Sequence, residues 1–515
     1  MLQGRVRPAL LAAVVASAAC ARAAPARAAR TLALAPCRLK GASVPALCGT
    51  LDVFENRATR AGRKIGLKVV VVPALARDAR PDPLVLLAGG PGQSITEAVG
   101  PLLPAFEKIR RSRDLVLVDQ RGTGGSHALD CELHPSDARS EPGDRTATPA
   151  RGGREVPHAR PASLAESLAY DGFPPDKLAA CLASYDADVR QYTTANAAAD
   201  LDDVRAALGY ERLNLWGGSY GTRLALDYLR RYPARVRTAV LDGVAPNALK
   251  LPLYLGRDAE RALDLLFAEC AADARCAAAF PDLRARFAKL LDRLAAEPAR
   301  VTVLHPRTGA PSEVVITRDA FAAGLRGVLY APEVAALLPL TIDRASRGDF
   351  GPYVAQAVAL DSGFSHTMSL GLFLSVVCAE DAPAVREDEI APASAGTFFG
   401  ERLTRDLLDA CKTWPHADAP AGWLEPVKSD APVLLLSGEL DPVTPPSWGD
   451  LAAQTLTHAR HVVVPGVGHG ATAQGCVPDL VAKFVAAGTV DGLDATCVAA
   501  LRRPPFFLSF AGPTP

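Results

Sequence analysis

Seven short apolar runs punctuate the chain: LKVVVVPA at 67–74, LVLLAGG at 84–90, DLVLVDQRG at 114–122, LNLWGG at 213–218, TAVLDGV at 238–244, PVLLLSGELD at 432–441 and HVVVPGVGH at 461–469. Runs that are continuously apolar, rather than alternating with polar residues, suit strands buried on both faces. Helical patterns lie between them, which predicts an α/β fold with a mostly parallel central sheet covered on both sides. In such a sheet ligands sit beyond the carboxyl ends of the strands, and from the third run onward each ends in a polar or glycine-rich tip. Between about Asn247 and Ser429 the pattern lapses. There DLRARFAKLLDRLAAEP places Leu283, Phe287, Leu290, Leu291 and Leu294 on one helical face, followed by the amphipathic AFAAGLRGVLY and EVAALLPLTIDRA. The expected organisation is a core over 30–246, a large, mainly helical cap over 247–429, and the rest of the core over 430–515. No internal repeat is evident. The stretch from Glu132 to Ser163, rich in Pro, Arg, Gly and Ser, reads as a mobile loop.

The amino terminus carries Arg5 and Arg7, an apolar stretch from Ala9 to Ala19, and then small residues. This is the pattern of an export signal over 1–29, too short to span a bilayer. A secreted or periplasmic protein is expected. Cys20 in SAAC loosely resembles a lipid-attachment site, with Ser17 where a larger aliphatic residue is usual, so lipid anchoring is the lesser expectation. Of the 11 cysteines Cys20 lies in this segment, and the remainder fall in local pairs: Cys37 with Cys48, Cys131 with Cys181, Cys270 with Cys276, Cys378 with Cys411 and Cys476 with Cys497. Disulfides in an oxidising compartment account for that usage, although spacing alone leaves connectivity open and buried thiols are the plain alternative. Lys plus Arg and Asp plus Glu are 56 each, so there is no basic field to hold a nucleic acid. The nine scattered histidines and the lack of paired CxxC or HExxH argue against metal. No cofactor is expected, and oligomeric state is open.

Chemistry concentrates in NLWGGSYGTRLALDYLRRYP, residues 214–233. A strand ending at Trp216, the turn Gly217-Gly218-Ser219-Tyr220-Gly221 and a helix from about Thr222 form a nucleophile elbow, which projects the serine above the sheet at a helix N-terminus. A GxSxG on its own arises in many glycine-rich turns; the strand before it and the helix after it make it specific. A serine hydroxyl needs a base, and the base an orienting carboxylate. Asp441 in GELDPVTPP and His469 in VPGVGHG follow successive buried runs, in the chain order Ser, Asp, His expected of an α/β-hydrolase. Alone, each has a plain reading, as a turn aspartate before Pro442 and a loop histidine between glycines. Asp242, at the tip of TAVLDGV, is the rival acid. For the oxyanion, LLAGGPGQS offers the backbone N–H of Gly90, and Tyr220 supplies its own beside the serine. Asp119 and Arg121 in VDQRGTGGS are expected to fix loops. Glu380 and Asp381 in SVVCAEDAP are the candidates for binding a substrate amine, against the plain reading of solvated acids at a cap turn.

The segments GGPGQS, VLVDQRGTGGS, DLDDVRAALGYERLNLWGGSYGTRLALDYLRRYP, AVLDGVAP, VLLLSGELDPVTPP and VPGVGHG together resemble the serine-peptidase branch of the α/β-hydrolases that includes prolyl aminopeptidases and secreted tripeptidyl aminopeptidases. From about Cys411 onward the chain looks like the C-terminal region of the tripeptidyl type. The resemblance implies an α/β-hydrolase fold, peptide substrates, Ser219 as nucleophile, His469 as general base and Asp441 as its orienter. Prolyl aminopeptidases usually carry a histidine where this sequence has Ala88, which points away from strict proline release. The expected activity is that of a secreted serine exopeptidase acting near free N-termini. The alternatives are an esterase or lactone hydrolase with the same triad, and a non-catalytic binding protein on a hydrolase scaffold.

Overall fold

All seven apolar runs form strands in the computed structural model, which describes residues 31–131, 164, 168, 172–306, 308–364 and 367–513. The expected export segment, Cys20 and the loop from Glu132 to Ser163 lie outside the described residues. In chain order the strands are β1 (Ala35–Arg38), β2 (Pro45–Phe54), β3 (Lys64–Val72), β4 (Leu84–Leu87), β5 (Leu115–Val118), β6 (Leu213–Gly218), β7 (Val236–Asp242), β8 (Ala299–Leu304), β9 (Pro311–Ile316), β10 (Val433–Gly438) and β11 (Ala459–Val464). Nine of them make one sheet in the order β1-β2-β3-β5-β4-β6-β7-β10-β11. From β5 to β11 every neighbouring pair is parallel, whereas β1, β2 and β3 join antiparallel at one edge.

Successive residues of a strand face opposite sides, and here both sides are dry. Val85 and Leu87 of β4, Leu215 of β6 and Leu435 of β10 pack into one apolar cluster; Leu84, Leu86, Trp216 and Leu434 pack into another on the opposite face. That is why these runs lack alternation. The last strand, β11, is an edge, and its Val463 is exposed. The chain leaves β4 toward β5 on one side and pairs β6 on the other, so the crevice beyond the ends of β4 and β6 is where the strand order reverses.

The segment between β7 and β10 has its own apolar core, in which Leu283, Phe287, Leu290, Leu291 and Leu294 of the helix Leu283–Ala296 are all buried. Two features depart from a purely helical insertion. The antiparallel pair β8 and β9 stands within it, and its later helices, Leu370–Glu380 and Arg402–Thr413, contribute Leu374, Val377 and Leu407 to the core of the main sheet instead.

The ten described cysteines form five disulfides, Cys37–Cys48, Cys131–Cys181, Cys270–Cys276, Cys378–Cys411 and Cys476–Cys497. Cys378–Cys411 ties the helix Leu370–Glu380 to the helix Arg402–Thr413. Non-reducing peptide mapping of exported protein should return these five pairs. Replacing Cys378 and Cys411 together by alanine should cost ~2–5 kcal/mol, the range for removing a native disulfide; a melt unchanged by that pair of substitutions would leave the link without a stabilising role.

Candidate active site

Ser219 sits between β6 and the helix Tyr220–Arg231 with φ 56° and ψ −124°. A residue with a Cβ holds such a backbone only at a cost of ~1–3 kcal/mol, supplied by surrounding structure. Here the Ser219 N–H donates to the Asp242 carbonyl at 2.8 Å, and the Thr222 hydroxyl donates to the Ser219 carbonyl at 2.6 Å. The helix start can pass close to β4 because residue 221 is glycine: a Cβ there would lie 2.2 Å from the Leu87 carbonyl oxygen. The hydroxyl is thus carried above the strand ends at the N-terminus of a 12-residue helix.

Asp441 and His469 meet across the ends of β10 and β11. His469 Nδ1 lies 2.8 Å from Asp441 Oδ2. Asp441 is fully buried and accepts from the amides of Val443 and Thr444, both at 2.8 Å, and from the Thr444 hydroxyl at 2.8 Å. Burial would push its pKa up, but His469 and these donors outweigh burial and hold it below the usual carboxylate value. For His469 burial acts to lower the pKa, and Asp441 overcomes it, so the imidazole titrates above its ordinary value. Its side chain keeps 14% exposure, on the cavity side, among the residues that line the same space as Ser219.

Asp242, the rival acid, has another task. Its two carboxylate oxygens accept the amides of Ala471 and Thr472, each at 2.8 Å, just after His469, and burial raises its pKa. One residue therefore binds the serine turn through its carbonyl and the histidine loop through its side chain. Gly90 and Tyr220 flank the serine along the same cavity. Neither backbone N–H has an acceptor among the described residues, which leaves two donors for a developing oxyanion. The turn that presents Gly90, with φ +107°, is braced from below. Asp119 accepts from the Ser94 hydroxyl at 2.9 Å, the Thr96 amide at 3.0 Å and hydroxyl at 2.8 Å, and the Gly125 amide at 3.0 Å. Arg121 is buried in a two-pronged pair with Asp200 at 2.7 and 2.8 Å. Both hold loops, as their sequence context suggests.

The expected amine-binding pair is not where that role requires. Neither Glu380 nor Asp381 lines the cavity. Glu380 ends its helix facing inward, where it accepts the Thr194 amide and hydroxyl, each at 2.7 Å, and the Thr194 oxygen in turn meets the Tyr220 hydroxyl at 2.6 Å. Burial pushes the Glu380 carboxyl up to about 8. Asp381 is buried against Arg223, 2.8 Å from Nη1, and burial raises its pKa as well. The physical reason is rotation: an acid after an apolar helical run faces whichever side holds its donors, and these donors lie nearly 190 and 160 residues earlier in the chain.

The cavity of about 460 Å³ is mostly apolar, with Trp216 and Ile95 from the core and Leu255, Tyr330 and Phe373 from the insertion. Thr444 and Tyr330 are functional neighbours that sequence reasoning did not single out. Thr444 stands in the GELDPVTPP context and could have been read as a partner of Asp441. Tyr330, whose carbonyl accepts the His469 N–H at 3.1 Å, comes from the insertion and has no local signal.

With that geometry in place, residues 82–269 match the family model described as alpha/beta hydrolase fold, and residues 396–497 the model described as TAP-like protein. Together they span more than half of the chain, one containing Ser219 and the other Asp441 and His469. Serine protease Hip1 of Mycobacterium tuberculosis is 27% identical over 490 residues, 90% of this chain and 90% of that protein. Tripeptidyl aminopeptidase of Streptomyces lividans is 26% identical over 485 residues, 88% of this chain and 84% of that protein. Carboxylesterase B of Mycobacterium tuberculosis is 29% identical over 486 residues, covering 88% and 86%.

Proposed function

We propose that this α/β-hydrolase, which is similar to a serine protease and to a tripeptidyl aminopeptidase, is an exported serine exopeptidase that releases short units from free peptide N-termini. One arrangement carries the reading: the strained Ser219 turn, two acceptor-free amides beside it and the Asp441-held His469 share the wall of one apolar cavity. In the proposed reaction Ser219 Oγ attacks the scissile carbonyl carbon while His469 Nε2 takes the hydroxyl proton. The amides of Gly90 and Tyr220 receive the negative oxygen. Collapse breaks the C–N bond, His469 passes its proton to the departing amine, and the acyl group stays on Ser219 as an ester. Water then repeats the sequence with His469 as base and frees the enzyme. Asp441 keeps Nδ1 protonated and stabilises the imidazolium throughout.

Export is part of the proposal. Five disulfides fit an oxidising compartment, and no helix among the described residues is long and apolar enough to cross a membrane. The division into core over 30–246 and 430–515 and cap over 247–429 is likewise proposed as the functional layout.

An assay of one tripeptidyl anilide with a free amine, its N-acetylated twin and a simple aliphatic ester tests the substrate class. The free-amine peptide should be favoured over its blocked twin by at least about 100-fold in kcat/KM, since a site built for a polar group strongly rejects the analogue without it. Equal rates on the peptide pair, with faster ester hydrolysis, would transfer the site to the esterase reading, which the relation to carboxylesterase B supports.

A further inference from the structure

Two arginines reach the cavity wall, and their charges are met differently. Arg223, on the helix that follows Ser219, is fully buried; Nη1 pairs with Asp381 at 2.8 Å and Nη2 donates to the Leu249 carbonyl at 2.6 Å. Arg326 comes from the cap helix Arg318–Leu329, and among the described residues no carboxylate pairs with it. Its Nη2 donates to the Tyr330 hydroxyl at 2.9 Å, its guanidinium lies 5.3 Å from the centre of the Tyr330 ring, and its Nε is enclosed without an acceptor. That half-buried guanidinium lacks a counter-ion and a full set of acceptors, and its enclosed Nε donor carries the cost of an unmade hydrogen bond. An anion in the cavity would supply both.

The position of Arg326 says which part of a substrate would bring that anion. Tyr330 follows one turn later, accepts the His469 N–H through its carbonyl at 3.1 Å, and sets its ring edge-on to the imidazole, with centroids 5.1 Å apart at 73°. Arg326 therefore stands on the His469 side of the cavity. In the peptidase reading, on which this inference rests, His469 delivers its proton to the departing amine, so that side receives the leaving group. We propose that Arg326 is a specificity residue that binds a carboxylate on the leaving group, and that the enzyme prefers bonds whose released side carries an acidic first residue or ends there in a free C-terminal carboxylate. Guanidinium geometry suits this, because its planar fork can meet both carboxylate oxygens at once.

The plainer account has Arg326 only packing on Tyr330 to steady the cap. Two leaving groups of matched size separate the accounts: one free-amine tripeptide joined either to 4-aminobenzoate or to 4-aminobenzamide, tested on the full chain and on Arg326→Gln and Arg326→Lys. Wild type should favour the benzoate by about 10- to 100-fold in kcat/KM, the range for a hydrogen-bonded charge, mostly through KM. Arg326→Gln should bring the ratio close to one, and Arg326→Lys should restore part of it. A wild-type ratio near one, or an unchanged ratio in Arg326→Gln, overturns the proposal, and an equal loss on both substrates assigns Arg326 to packing alone. The same acids and amides offered as acyl esters of 4-hydroxybenzoate and 4-hydroxybenzamide keep the two readings apart. A benzoate preference on esters, with no peptide cleavage, retains the anion site and removes the peptidase; peptide cleavage with no preference does the reverse.

Discussion

Ser219→Ala should fold like the parent chain and lose about 10⁴- to 10⁶-fold in kcat, because a triad works as a unit and removing its nucleophile leaves only binding and the oxyanion donors. Stability should change little. Alanine keeps the Cβ that makes φ 56° unfavourable, and the bonds that hold the turn, from the Ser219 N–H to Asp242 and from Thr222 to the Ser219 carbonyl, are made by backbone atoms of residue 219. A fluorophosphonate probe should label the wild type at Ser219 and leave the variant unlabelled, with the adduct located by peptide mass spectrometry. Label at another serine, or a variant with more than a few per cent of wild-type turnover, would remove Ser219 from the reaction. The buried Ser437 is a useful contrast. Its Oγ lies 2.9 Å from His461 Nε2, and His461 Nδ1 lies 2.8 Å from Asp450, yet Ser437 has no exposure and cannot meet a substrate. A hydrogen-bonded Ser, His and Asp is not enough without a turn that lifts the serine out of the sheet.

That contrast also explains which parts of the molecule can be read from the chain. Ser219 follows the buried strand β6 directly, Asp441 comes shortly after the buried β10 and His469 shortly after the edge strand β11, and a parallel sheet delivers the ends of such strands to one rim, so position along the chain constrains them. Which face Leu84 or Val85 takes is not legible, since both faces of the sheet are covered and the run carries no alternation. β1 and β2 carry no such signal: they run antiparallel toward an edge of the sheet, most of their residues are exposed or only partly buried, and they leave no continuous apolar run. β8 and β9 bury only Val303, Val314 and Ile316 among helices that dominate the local pattern. Glu380 and Asp381 depended on partners remote in sequence. So did Tyr330 and Arg326, whose relation to His469 exists only once the cap has folded over the rim.

Asp441→Asn should cost about 10⁴-fold in kcat, the size expected when the acid that fixes the histidine tautomer becomes an amide. The Asn side chain can still accept from the amides of Val443 and Thr444, so the loop should remain in place while its other group confronts His469 Nδ1 with a donor instead of an acceptor. The pH profile supplies a second readout. As general base His469 must be neutral, so kcat/KM falls as pH drops through its pKa. Asp441 raises that pKa against the effect of burial; with the carboxylate gone, burial dominates and the acid limb should move to lower pH even as the plateau falls. Asp242→Asn makes the opposite trade. Its carboxylate accepts two backbone amides, from Ala471 and Thr472, and an amide group can accept only one while turning N–H toward the other. That variant should lose ~1–3 kcal/mol of stability, the cost of stranding a buried donor, and keep most of its turnover, with an acid limb that moves down less than in Asp441→Asn because Asp242 raises the His469 pKa less than Asp441 does. Measured side by side, the two variants identify the orienting acid: a 10⁴-fold loss with the larger limb shift at Asp242, and a merely less stable enzyme at Asp441, would reverse the assignment.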